Sequence, residues 1–111
     1  MNFLQERQNK MISFDEERTI NAKVKFSWLG PKEDGTLAVQ IGFDCEGNKG
    51  ISTAKIPCTT KLIEEIINVL EIRSWEDLPK KYARIKVKNG ELLTTKVMAI
   101  GNVIEDRWVR L

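Results

Sequence analysis

The stretch TTKLIEEIINVLEI, residues 59–72, carries the main helical pattern of the chain. Its apolar residues recur at helical spacing: Leu62, Ile63, Ile66, Ile67 and Leu70. They form one apolar stripe, wide enough to cover the edge of a sheet or the end of a barrel. Thr59 or Thr60 can cap the first turn through its hydroxyl oxygen. The stretch therefore predicts one helix that packs on a sheet. Strand patterns on both sides of it in the sequence indicate the strands of that sheet.

Three alternating stretches precede this helix, at residues 20–28, 37–43 and 51–56. A period of two is typical of a strand with one buried face. In the first stretch, the following side chains fall on the same face of the strand: Ala22, Val24, Phe26 and Trp28. Turn-forming residues at 30–35 and 44–50 separate the three stretches. We therefore expect an antiparallel meander of three strands before the helix.

Residues 82–88 alternate again after the helix, and Asn89-Gly90 follows them. Asn-Gly between two alternating runs favours a hairpin turn, so a partner strand is expected from Leu92 to Ile100. Gly101-Asn102 then bends the chain into a last extended segment, residues 103–109. Three strands, one helix, two strands and a tail is the order of an oligonucleotide/oligosaccharide-binding (OB) barrel.

The fold class expected from this order is α+β, with one main helix on a small antiparallel β-barrel or a strongly curved sheet. An OB-like barrel ranks first, and an SH3-like barrel or an open sheet crossed by the helix remains the alternative. With 111 residues, 41% of them hydrophobic and 31% charged, the chain fits one globular domain. We assign residues 19–111 to this β-rich domain. Residues 1–18 are expected to be a loosely ordered arm, which either docks on a partner or frays as termini commonly do.

Catalysis and metal binding find little support in the residue types. The chain has no histidine, so Ser-His-Asp and Cys-His catalysis are excluded. Cys45 and Cys58 are too few for an ordinary zinc site, and free thiols are expected rather than the alternative, a disulfide between them. No membrane-spanning run or secretory signal is apparent. We therefore expect a cytoplasmic protein that is not an enzyme and needs no cofactor.

One face of the predicted sheet gathers positive charge. Lys23 and Lys25 point outward from the first strand, and Arg84, Lys86 and Lys88 point outward from the fourth. These two strands are neighbours in an OB barrel, so the five cations would share a patch with Tyr82 at its edge. Cations beside an aromatic ring suit single-stranded nucleic acid, since charges follow phosphates and rings stack on bases. The alternative is an ordinary solvated strand face that also discourages edge pairing.

The three tryptophans are expected to pack in the core. Trp28 falls on the buried phase of its strand, Trp75 follows a helix-capping residue, and Trp108 lies in the tail strand. An exposed tryptophan would instead suggest a contact point for a partner.

Two segments of the C-terminal half carry a resemblance to a known group. Residues 74–85, SWEDLPKKYARI, and residues 99–108, AIGNVIEDRW, resemble stretches of small uncharacterised proteins from phages and prophages of Gram-positive bacteria. The resemblance implies a phage product in the host cytoplasm, and some such genes lie among replication and recombination genes. We therefore expect a small phage-type binding module that binds single-stranded DNA or RNA through its basic face. The alternative is a protein interaction module acting on a host or phage protein, through Trp108 or the N-terminal arm.

Overall fold

The computed structural model of the protein describes residues 17–45, 51–89 and 95–111. The elements in chain order are strands β1 (Arg18–Pro31), β2 (Leu37–Cys45) and β3 (Ile51–Pro57), helix α1 (Thr60–Leu70), a short 3-10 helix (Trp75–Asp77), and strands β4 (Tyr82–Asn89), β5 (Thr95–Gly101) and β6 (Trp108–Arg110). This order confirms the predicted α+β fold with one main helix. Residues 1–16 of the predicted arm, most of the turn at 44–50, Gly90 of the predicted hairpin and residues 92–94 of its partner strand lie outside the described residues.

The six strands form one antiparallel sheet in the order β3-β2-β1-β4-β5-β6. The long strand β1 pairs with two strands: residues 22–31 pair with β2, and residues 18–23 pair with β4. The sheet curls until β3 and β5 approach each other, although no ladder joins these two strands. The result is a half-barrel that is open between β3 and β5, and the first and fourth strands are adjacent as predicted.

The concave side of this sheet holds the core, and α1 covers it. The largest fully buried side chains are Phe43, Ile41, Ile66, Leu70, Leu78, Ile85, Ile100, Val24, Val39 and Val87. The Leu62 amide donates to the Thr59 hydroxyl at the start of α1 (3.3 Å), so the predicted cap is present. The helix ends at Leu70, slightly before the predicted end at residue 72. Glu71 adopts a left-handed conformation there (φ 56°), and its amide bonds back to the last turn.

A β-bulge in β1 reverses the alternation of the strand halfway along its length. Val24 pairs with Phe43 and Phe26 pairs with the adjacent Gly42, so Lys25 is one extra residue on β1. Ala22 and Val24 therefore point into the core, whereas Phe26 and Trp28 point away from it. The expectation that Trp28 packs in the core is wrong for this reason, since 48% of its surface is exposed.

Candidate nucleic-acid interface

The pairing of β1 with β4 brings the predicted site residues onto one surface. Ala22 and Ala83 are buried partners in the ladder, so the residues beside them face the opposite side of the sheet. We call this convex side the outer face. It carries Lys23, Lys25, Tyr82, Arg84, Lys86 and Lys88, all six residues of the predicted site. The adjacency on which the site hypothesis depends is therefore present.

Lys23 and Tyr82 are directly opposite each other across the β1–β4 ladder. The Lys23 ammonium lies 5.4 Å from the centroid of the Tyr82 ring, within the range of a cation–π interaction. Tyr82 is 62% exposed, so much of its ring remains available to a ligand. Lys25, on the bulge nearby, is exposed as well. These three residues combine positive charge with an accessible ring.

Arg84 has a different role from the one predicted for it. Its Nε donates to the carbonyl oxygen of Asn102 (2.7 Å), and its Nη2 donates to that of Glu105 (2.8 Å). The guanidinium also lies 5.0 Å from the ring of Trp108. Arg84 adds positive charge to the outer face. Because its N–H groups bond to the loop between β5 and β6, they are not arranged to donate two hydrogen bonds to a phosphate.

Trp108 lies on the outer face, so the prediction that it packs in the core is also wrong. Its indole covers Gly101 on the neighbouring strand, where an added Cβ would lie 2.5 Å from Cε3 of the ring. The Lys86 ammonium lies 4.4 Å from the ring centroid, and the indole N–H donates to a carboxylate oxygen of Asp106 (2.7 Å). A glycine at position 101 gives the indole a flat place on the sheet surface, and the ring remains half-buried there.

A bound carboxylate limits the charge at the β6 end of the outer face. Glu17 accepts two hydrogen bonds from Arg110, at 2.6 and 3.0 Å. These bonds lower the pKa of Glu17, desolvation opposes them in part, and the charges of Arg110, Lys86 and Lys88 lower it further. Lys86 and Lys88 are therefore close enough to Glu17 to interact with it. In the opposite half of the face, the exposed Asp44 is the direct partner of Lys23 in the β1–β2 ladder, so this half carries a carboxylate as well.

Sequence reasoning expected one aromatic side chain on this face, and the structure places four there. Besides Tyr82, they are Phe26, Trp28 and Trp108. The ring of Phe26 lies over Gly42, which sits between two core residues of β2 and leaves space above the sheet. Gly42 was the sequence signal for this packing, because a glycine within an alternating strand often marks a place where another group packs closely against the strand.

Among the described residues, no group of three or more histidine, cysteine, aspartate or glutamate side chains could hold a metal ion. Cys45 and Cys58 both carry free thiols. In the same part of the chain, no helix has the length and apolar character needed to cross a bilayer. Comparison of the chain with models of protein families, with curated proteins and with solved structures finds no match. The outer face itself is therefore the feature of the molecule that bears on function.

Proposed function

We propose that the protein binds single-stranded DNA or RNA across the outer face of its sheet. The observation that carries this proposal is the interleaving of rings and cations on one surface. Phe26, Trp28 and Tyr82 are each more than a third exposed; Lys25 directly precedes Phe26 on β1, and Lys23 is opposite Tyr82 across the β1–β4 ladder. Grooves that bind single strands without strong sequence preference combine these two elements, since charges track the backbone and rings stack on bases.

Unpaired bases fit this surface better than a duplex does. Aromatic side chains can stack only on bases whose faces are exposed, and in a double helix neighbouring base pairs cover those faces. Carboxylates limit the positive charge in both halves of the face. Glu17 lies near Lys86 and Lys88, and Asp44 is directly opposite Lys23 in the β1–β2 ladder, whereas Lys25 is the exposed extra residue of the bulge. We therefore place the main backbone contact at Lys25, with Lys23 and Lys86 extending the charged path.

The resemblance of residues 74–85 and 99–108 to phage and prophage proteins supports a setting for this activity. We place the protein in the cytoplasm of a bacterial host, as a small module that holds single strands during phage replication or recombination. This assignment gives no role to catalysis.

The test measures anisotropy of a labelled octanucleotide, with salt raised from about 20 to about 200 mM. We expect wild-type affinity to fall steeply with salt, and Lys25→Glu and Lys86→Glu each to weaken binding. Each lost phosphate contact lowers the slope of log affinity against log salt by about 0.7 for a single strand. Lys61→Glu is the matched control, because Lys61 is exposed on α1, which packs on the other side of the sheet. Absence of binding at low salt would refute the proposal, as would equal losses in Lys86→Glu and Lys61→Glu.

A second candidate function, binding of a host or phage protein, is favoured by the loop between β5 and β6. Ile104 is 88% exposed at this loop, while its amide is held by the Asn102 side chain at 2.9 Å. A rigid loop that displays a large apolar side chain suits a contact with an apolar pocket of a partner. Under this alternative, the wild type recovers a defined partner protein in a pull-down and Ile104→Ser does not. Neither the wild type nor the variant then binds nucleic acid.

A further inference from the structure

Trp28, Gln40 and Lys55 form a row across three strands of the outer face, away from the predicted basic site. Trp28 pairs with Gln40 in the β1–β2 ladder, and Gln40 pairs with Lys55 in the β2–β3 ladder. The neighbours of Gln40 and Lys55 along their strands are core residues, so these two side chains point outward. The Trp28 ring points the same way because the bulge at Lys25 reverses the phase of β1. One row therefore presents an indole, an amide and an ammonium side by side.

All three residues line one surface depression of about 850 Å³ beside the β1–β2 turn. Trp28 is 48% exposed there, although a buried position would be usual for a side chain of this size. Gln40 is half-buried at the same site, and Lys55 is exposed. A half-exposed indole beside an amide offers both a stacking surface and hydrogen-bonding groups.

We propose that this row is a nucleobase-recognition subsite, an inference that rests on the proposed binding of single strands. The base stacks on Trp28, the amide of Gln40 bonds to its edge, and Lys55 contacts the adjoining phosphate. A glutamine amide carries both a donor and an acceptor, so it can distinguish bases by their edges. This subsite supplies selectivity that the lysines of β1 and β4 do not provide, since charge reads only the backbone.

The charges around the depression indicate a base rather than a phosphate cluster as its main occupant. Lys32 and Lys55 line it, but Glu33 and Asp34 line it too. The side chain and amide of Thr36 donate to Asp34 (2.7 and 3.0 Å), which lowers the pKa of this carboxyl and keeps it ionised. Because the two acids offset the two lysines, binding here depends on stacking and on the amide more than on net charge.

The subsite and the basic site are within reach of one bound strand. Trp28 lies five positions after Lys23 on β1, which is about 16 Å at the rise of an extended strand. About five nucleotides at stacked spacing cover this distance. An octanucleotide can therefore occupy both sites at once, and removal of either site leaves the other to bind.

The experiment measures octanucleotide affinity for Trp28→Ala, Trp28→Phe and Gln40→Ala, with folding checked by circular dichroism. Trp28→Ala is expected to weaken binding by about 10-fold with an unchanged salt slope, because a stacking ring is lost and no charge is removed. Trp28→Phe, which keeps a ring, is expected to stay within about threefold of wild type. Gln40→Ala is expected to reduce the differences in affinity among octamers of A, C and T.

A spectroscopic measurement on the otherwise unaltered chain complements the variants. Protein labelled with 5-fluorotryptophan is titrated with an octamer, and the Trp28 resonance is the one absent from Trp28→Phe. We expect this resonance to shift on binding while that of Trp75, whose indole donates to Ser27 on the core side, stays in place. If the wild type binds but Trp28→Ala stays within about twofold of it and the Trp28 resonance is unmoved, the subsite is refuted and the proposed function stands. If the wild type binds no octamer at low salt, both are refuted.

Discussion

Asn102 is the buried polar residue on which the loop between β5 and β6 depends. Its side chain is 5% exposed and bridges two parts of the fold. The amide nitrogen donates to the carbonyl oxygen of Val69 in α1 (2.8 Å) and to a carboxylate oxygen of Glu71 (3.2 Å). The amide oxygen accepts from the backbone N–H groups of Ile104 (2.9 Å) and Glu105 (3.0 Å). One side chain thus ties the loop to the helix end.

Replacing Asn102 with alanine removes all four hydrogen bonds. The Val69 carbonyl is buried and loses its side-chain donor, which costs about 1–3 kcal/mol, while the other partners are nearer to water and cost less. We expect a total loss of about 3 kcal/mol in the free energy of unfolding, a large part of the 5–15 kcal/mol usual for a domain. At a urea m-value of about 1.5 kcal/mol/M, the midpoint falls by about 2 M.

The assay is urea unfolding followed by circular dichroism, with Asn68→Ala as the matched control. Asn68 is exposed on α1, where alanine is a good helix former, so this variant should unfold within about 0.5 kcal/mol of the wild type. A loss below about 1 kcal/mol in Asn102→Ala would show that the amide network is not what fixes the loop.

Two further predictions concern the outer face. Gly101→Ala places a methyl group 2.5 Å from the Trp108 ring. It should lower the melting temperature by about 5 °C or more and change the tryptophan fluorescence. An unaltered melting temperature and emission spectrum would contradict the packing of Trp108 on Gly101. Because Arg110 lowers the pKa of Glu17 below 4.5, their ion pair contributes stability that is present above about pH 4.5 and is lost as the pH falls through the folded-state pKa. Urea midpoints followed from about pH 6 to about pH 3 should therefore decline less for Glu17→Gln than for the wild type, and parallel declines would count against the pair.

Much of the fold could be predicted because local patterns and topology agree. The helical stripe of residues 60–70 and the alternating stretches around it each match an observed element. The adjacency of β1 and β4 followed from placing the helix between the third and fourth strands, which is a property of barrel topology rather than of any one residue.

The composition of the outer face could not be predicted in full, because a bulge leaves no trace in regular alternation. Val24, Phe26 and Trp28 follow one another at a spacing of two, as in a strand without interruption. The extra residue Lys25 is visible only through pairing with β2, which is a tertiary property.

The roles of two polar residues were hidden for a related reason. Alternation with Lys86 predicts a ligand-binding role for Arg84, yet its guanidinium donates to two loop carbonyls distant in sequence. Asn102 beside a glycine indicated only a bend, and its buried hydrogen bonds depend on where the end of α1 lies in space. Such contacts between distant segments have no signature in local spacing.

The bulge at Lys25 divides one strand between two tasks. Before it, β1 contributes Ala22 and Val24 to the interior; after it, the same spacing delivers Phe26 and Trp28 to the exterior. If the same residues paired with β2 without the bulge, the pleat would be uninterrupted and both rings would point inward. One extra residue in the pairing, with no change in the identity of any aromatic side chain, thus separates a strand that only fills the interior from one that also presents rings on the outside of the sheet.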